Sequence, residues 1–226
     1  MFLADGDAMV LPTRRLLEIL GQIREAFPDI ERISSYCLPR NLAKKSVEDL
    51  IQLREAGMQF MYVGMESGDD EILRRVNKGE TWESTRSALL KIREAGLTSS
   101  VMVLNGLGGE NLSRQHAINT ATLCNETQPD YLSTLVVSFP QGEERFREGF
   151  GDDFVPLSQK GLFEEIRLFL KHLELDKTIF RSDHASNYLV LKGTLGRDKQ
   201  KMLDQVNLAI TNPGAAPLRA EWMRGL

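Results

Sequence analysis

The sequence predicts an α/β fold built on successive parallel strands. Three observations carry this. Short apolar runs rich in β-formers alternate with stretches of helical periodicity over the first 140 residues. The tetrapeptide Arg54-Glu55-Ala56-Gly57, which precedes one apolar run, returns 39 residues later as Arg93-Glu94-Ala95-Gly96 before the next. That spacing suits one strand and its crossover helices, hence parallel neighbours. Finally, several of the runs end in glycine beside an acid, as the ligand-facing tips of parallel sheets do.

The elements follow in order. Phe2-Leu3-Ala4 is a strand running straight into Asp5-Gly6-Asp7, with no helix or cap before it. Pro12 opens a helix with Leu16, Leu17, Leu20, Ile23 and Phe27 on one face, and Pro28-Asp29 closes it. A strand around Arg32 to Leu38 ends in Pro39-Arg40-Asn41. Ser46 caps the next helix with Asp49 three residues on, and Gly57 stops it. Strands at Phe60 to Val63, Ser100 to Leu104 and Tyr131 to Phe139 follow, the last two separated by a helix around Ser113 to Thr127. Five strands alternating with helices suit either a barrel or a doubly wound sheet, and periodicity does not choose between them. Beyond Pro140, Gly142, Gly149 and Gly151 indicate a loop. Helices are expected near Leu157 to Leu173 and Asp198 to Ile210, and the stretch Asn212 to Pro217 is expected to fray.

Composition sets outer bounds. Of 226 residues, 42% are hydrophobic and 27% charged, the make-up of a globular protein rather than a disordered one. The 28 basic and 32 acidic residues are interspersed, so there is no basic stripe and no strong nucleic-acid signal. No apolar stretch is long enough for a membrane span, and a cytoplasmic protein is expected. Cys37 and Cys124, 87 positions apart, form neither a disulfide framework nor a closely spaced metal site.

At the strand ends the candidates are Asp5-Gly6-Asp7, Arg40, Gly64-Met65-Glu66-Ser67-Gly68, Gly106-Leu107-Gly108-Gly109-Glu110 and Ser138-Phe139-Pro140. Glycine lets a ligand approach the backbone while the acid accepts its hydrogen bonds. Any one such tip is ordinary turn chemistry; their recurrence at successive strand ends is what points to a site. His116 and His172 fall in helices and are read as surface or packing residues. His184 lies in the polar stretch Arg181 to Tyr188 with Asn187, read either as a binding loop or as a network anchoring the extension. No Ser-His-Asp order, zinc spacing or phosphate loop is present.

Taken in order, the tips resemble those of the radical S-adenosylmethionine (SAM) superfamily, in its coproporphyrinogen dehydrogenase and Elongator-like branch. Ala4-Asp5-Gly6-Asp7-Ala8 resembles a degenerate Gly-Gly-Glu motif that holds the SAM amino group. Gly64-Met65-Glu66-Ser67, followed by Leu73, Asn77 and Lys78, resembles the fourth-strand segment. By that likeness Glu66 and Ser67 lie near the ribose or amino-acid part of SAM, and Lys78 meets its carboxylate. Gly106-Leu107-Gly108-Gly109-Glu110 resembles the fifth-strand motif whose backbone packs on adenine. The fold implied is an incomplete parallel (β/α) barrel over 1–140, strands two to six of the family's barrel. A mainly helical extension, 141–226, packs on it and resembles that of one bacterial subgroup, with Arg40, His184 and Asn187 as candidate substrate or extension contacts.

The intact relative implied by the resemblance reductively cleaves SAM at a [4Fe–4S] cluster to give a 5′-deoxyadenosyl radical. Relatives often carry acids where this chain has Tyr36 and Met102. The family's Cys-x3-Cys-x2-Cys loop has no counterpart here, so the expectation is an amino-terminally truncated, inactive fragment that retains neither cofactor. Two alternatives stand beside it. One is a non-catalytic binding or scaffold domain; the other is a cluster-independent barrel enzyme using Asp5, Asp7, Glu66 and Glu110 as acid/base groups or hard-metal ligands. The expected partners are a small-molecule or otherwise unknown substrate and a second copy of the chain, paired through the exposed edge of the first strand.

Overall fold

The computed structural model describes residues 1–4, 6–139 and 142–224. Its sheet has seven strands in chain order: β1 (Phe2–Leu3), β2 (Ile33–Cys37), β3 (Met58–Glu66), β4 (Thr98–Asn105), β5 (Tyr131–Val136), β6 (Ile179–Ser182) and β7 (Leu191–Thr194). β1, β2 and β3 are parallel, as are β5 and β6, while β7 returns antiparallel to β6. The sheet is therefore mostly parallel and open, with β1 and β7 at its edges. Among the described residues no helix is long and apolar enough to cross a membrane.

Two compact units divide the chain, residues 1–65 with 83–101 and residues 66–82 with 102–226. In the first, α1 (Thr13–Ala26) and α3 (Val47–Glu55) bury Leu16, Leu20, Leu50 and Leu53 completely, together with Ile33, Met58 and Met61 of the strands. Phe27, expected on the apolar face of α1, is instead 54% exposed, because it lies past the last helical turn. The capping box at α3 is formed in full, with the Ser46 hydroxyl accepting from Asp49 N and the Asp49 carboxylate accepting from Ser46 N. Pro39–Leu42, expected as a strand tip, is a short helix α2 whose end is held by Lys91 Nζ, which donates to the carbonyls of Leu42 and Lys45.

The Arg-Glu-Ala-Gly repeat has a structural reason. Gly57 and Gly96 both take positive φ, 110° and 72°, to end α3 and α5 (Trp82–Glu94). The guanidinium of Arg54, from the first copy, donates to Ala95 O at 2.8 Å in the second and fills the space that a Cβ at Gly96 would need.

The second unit contains α4 (Asp70–Arg75), α6 (Gly109–Thr127), α7 (Glu144–Phe150), α8 (Gln159–His172) and α9 (Leu195–Thr211). α8 packs on α6 and α9, burying Phe163, Ile166, Phe169, Met202 and Val206. Three sequence expectations change here. Residues 142–151, expected as loop, include α7, whose Phe146 and Phe150 stack at 5.2 Å and join Phe139 and Phe154 in one aromatic cluster. β6 and β7 were not expected as strands and extend the sheet beyond residue 140. The stretch from Asn212, expected to fray, forms a 3-10 turn at Pro213–Ala215, and beyond it Leu218 bridges to Leu189.

Candidate functional site

The strand tips in each unit are tied together by polar groups, half-buried in the first unit and buried in the second. In the first unit Asp7 is the buckle. Its Oδ1 accepts from Met9 N at 2.8 Å, capping a 3-10 turn, and its Oδ2 accepts from Leu38 N at 2.6 Å and Asn41 Nδ2 at 2.7 Å. The β1 and β2 tips are thus fastened to each other, and most of the carboxylate's lone pairs are engaged. Gly6 is exposed, with φ 121° and open space around it, and Arg40 is exposed on α2. Asp5 and Pro140, both named from sequence, lie outside the described residues.

In the second unit β3 ends on Glu66, a non-glycine residue at φ 60°. Left-handed backbone costs an ordinary side chain on the order of 1 kcal/mol or more and concentrates at functional positions. Asn77, at φ 52°, turns the chain after α4 so that Lys78 Nζ reaches Glu66 Oε1 at 2.9 Å. Both side chains of the pair are 18% exposed, so each retains a solvent-facing part.

Ser67 is fully buried, and its hydroxyl is committed to the protein. It accepts from Asp69 N at 3.0 Å and lies 2.8 Å from His116 Nδ1. Because His116 Nε2–H donates to the Leu104 carbonyl at 3.0 Å, Nδ1 is the acceptor for the Ser67 hydroxyl. His116 thus joins the β3 tip to the end of β4, the work of a packing residue. Asp69, which sequence reasoning missed, caps α4 through Ile72 N and also accepts from Gln115 and Asn119 of α6. The signal for it was an Asp immediately before a helical run.

The glycines of the β4 tip are packed against the chain's own atoms. A Cβ at Gly106 (φ 89°) would meet Leu162 Cδ2 at 2.8 Å, one at Gly108 would meet Ile72 Cδ1 at 2.9 Å, and one at Gly109 would meet Val155 O at 2.7 Å. Leu107 is buried between them and Glu110 is exposed in the first turn of α6. Beneath the tip stands Glu165 of α8, also missed, whose Oε1 accepts from Gly106 N at 2.6 Å and Asn105 Nδ2 at 2.7 Å. An acid at a stripe position of α8, between Leu162 and Phe169, was the available signal.

His184 and Asn187 both hydrogen-bond within the protein. Asn187 is buried, donating to Thr134 O at 2.8 Å and accepting from Val136 N at 3.0 Å, so it fastens its loop to β5. His184 Nδ1 accepts from Ser186 N at 3.1 Å, and Arg219 donates to the carbonyls of Asp183, His184 and Asn187. His172 is exposed at the end of α8.

Cys37 and Cys124 are both buried free thiols, one in each unit, and burial pushes the Cys124 thiol up to about 12. They do not fit a [4Fe–4S] cluster, which needs several accessible thiolates in one place. Among the described residues no group of three or more His, Cys, Asp or Glu is placed to hold a metal ion.

An open, mostly parallel sheet whose first five strands alternate with helices is a partial β/α barrel. The sequence profile of the radical SAM superfamily matches residues 1–121, and the chain belongs to that superfamily. It is 26% identical over 170 residues to a probable threonylcarbamoyladenosine tRNA methylthiotransferase of Methanocaldococcus jannaschii, which covers 73% of this chain and 38% of the relative. The fold is shared with the archaeal Elp3 of Methanocaldococcus infernus (TM-score 0.60, 15% identity, 90% of this chain, 53% of that one). It is shared equally with the Escherichia coli coproporphyrinogen III oxidase HemN (TM-score 0.60, 22% identity, 74% of this chain, 38% of that one). The chain spans about a third of the length of the curated relatives it matches.

Proposed function

We propose that this chain is the SAM-holding part of a radical SAM active site, with the Glu66–Lys78 pair as its polar anchor. The observation that supports this best is Glu66 itself, held at φ 60° on a strand tip and paired at 2.9 Å with a lysine that a second left-handed residue delivers. Lys78 has three donors and can hold Glu66 and a ligand carboxylate together, while Glu66 has lone pairs left for ribose hydroxyls or an ammonium group. The Gly106 to Gly108 segment, held rigidly by Leu162 and Ile72 in the same unit, is the backbone read as bordering the adenine ring. When bound in an intact enzyme, SAM is the source of the reactive group, released by one-electron reduction at a cluster.

The two buried thiols of this chain do not hold that cluster, so no redox step is assigned to it, and alone it is inactive. Residues 142–224 brace the barrel portion, adding β6 and β7 to its sheet, and a cytoplasmic site of action accords with two thiols outside any disulfide.

Titration of the ¹⁵N-labelled chain with S-adenosylhomocysteine tests the reading. Without a metal chelate the expected dissociation constant is roughly millimolar, about 4 kcal/mol. Lys78→Ala should weaken binding about tenfold, the loss of a charge-assisted contact. A wild-type chain that shows no shifts at Glu66 or Lys78 at saturating ligand would remove the proposal.

A further inference from the structure

We propose that Glu165 is a positioning residue for adenosine binding, a latch through which α8 holds the β4 tip in its ligand-ready shape; this rests on the reading above. The carboxylate is 4% exposed and yet, among the described residues, belongs to no ion pair with Lys or Arg. Its Oε1 takes the Gly106 amide at 2.6 Å and the Asn105 side chain at 2.7 Å, two donors from consecutive residues at the turn where β4 ends. His116 Nε2 stands 3.9 Å from the same oxygen, so the residue tying the β3 tip to β4 borders the latch.

A buried carboxylate is costly unless it is hydrogen-bonded, and a hydrophobic residue would fill this place on the apolar stripe of α8 more cheaply. What Glu165 secures in return is the orientation of one amide. Gly106, buried and at φ 89°, directs its N–H onto Oε1, while Leu162 of the same helix packs where a Cβ would stand. Helix α8 therefore sets the tip twice, by an acceptor and by a steric stop.

The other oxygen sharpens the argument. Among the described residues Glu165 Oε2 has no hydrogen-bond partner, and neither has Thr134 Oγ1. Both residues line one cavity of about 10 Å³ with His116 and Thr120. The carboxylate is thus held by Oε1 alone, and the chemistry needed at this position is an acceptor, not a charge. Glutamine supplies that acceptor.

The test uses the full ¹⁵N-labelled chain, with 5′-methylthioadenosine as a ligand bearing adenosine without a carboxylate and S-adenosylhomocysteine as one bearing both. Glu165→Ala should speed hydrogen exchange at the Gly106 amide about tenfold or more and weaken both ligands by a common factor of about ten, as expected when a buried amide loses its acceptor. Glu165→Gln should return both quantities to within about threefold of wild type. Lys78→Ala should weaken only S-adenosylhomocysteine.

Unchanged Gly106 exchange and unchanged 5′-methylthioadenosine affinity in Glu165→Ala would overturn the latch. So would a folded Glu165→Gln chain that stays as impaired as the alanine variant, or exchange accelerated equally at every amide of residues 102–224, which marks general destabilisation. If the wild-type chain binds neither ligand, the SAM-site reading falls and adenosine positioning with it. If it binds both and only the glutamate variants behave like wild type, the latch alone falls.

Discussion

Replacing Asp69 by alanine should destabilise the second unit more than any other single polar change near the site. The carboxylate is 4% exposed and accepts from Ile72 N at 3.0 Å, from Asn119 Nδ2 at 2.6 Å and from Gln115 Nε2 at 3.1 and 3.2 Å. Losing the helix cap costs about 1 kcal/mol. Asn119 is exposed and Gln115 half-buried, so their freed amides recover part of their hydrogen bonding from water, and about 0.5–1 kcal/mol each is a fair charge for them. The sum is about 2–3 kcal/mol, a fall in melting temperature of about 5–10 °C for a chain of this size. Asp69→Asn keeps an acceptor for Ile72 N but presents a donor to Asn119, and should lose about half as much. Urea unfolding followed by circular dichroism measures both. An alanine variant within about 0.5 kcal/mol of wild type, or an asparagine variant worse than alanine, would show that Asp69 does not hold this corner together.

Other outcomes follow from the same geometry. Asp198, held down at about 2 by the Arg197 guanidinium and the Thr194 N–H, stabilises the start of α9 only while ionised. Its contribution is present above the unfolded carboxylate value of about 4 and lost as pH falls towards 2, so the melting-temperature gap between wild type and Asp198→Asn should close over that window. Cys124, with its thiol at about 12, should resist alkylation at pH 8 in the native chain and react once denaturant is added. Anaerobic treatment with iron and sulfide should give no stoichiometric cluster, whereas a chain joined to a segment bearing three closely spaced cysteines should take one up; iron analysis decides. The β1 edge, with Phe2 38% exposed beside Tyr36 at 48%, should pair two copies of the chain, and Phe2→Lys should abolish any dimer seen by sedimentation velocity.

How far the sequence could be read depended on the range of the interaction. The Ser46–Asp49 box was legible because both partners lie within one turn. The Arg-Glu-Ala-Gly repeat was visible as a spacing, but that Arg54 closes the second copy's helix rests on a contact across 41 residues, which no periodicity encodes. β6 and β7 have four residues each, too few to alternate legibly, and α7 was masked by the glycines at 149 and 151 despite Phe146 and Phe150 at helical spacing. At the site, glycine tips could be picked out as tips. The partners that fix them could not: Ser67 turned out to be spent on His116 and Asp69, and Glu165 comes from a helix 59 residues beyond the amide it holds.

The contact of Arg54 with Ala95 also bears on how the chain is made. The first unit is discontinuous, residues 1–65 being completed only by 83–101, with 66–82 belonging to the other unit. A nascent chain that has exposed its first three strands still lacks α5 and the start of β4, and the Arg54 guanidinium has no carbonyl to close upon. At roughly 5–20 residues per second, the ribosome needs seconds to supply them. During that interval the buried faces of β2 and β3 are available to chaperones or to neighbouring chains, and the segment spanning 66–82, which carries α4, emerges before the unit it interrupts can shut. Ribosome-bound chains halted before and after residue 101 has left the exit tunnel should therefore differ sharply in protease resistance, the shorter ones being cut within residues 1–65.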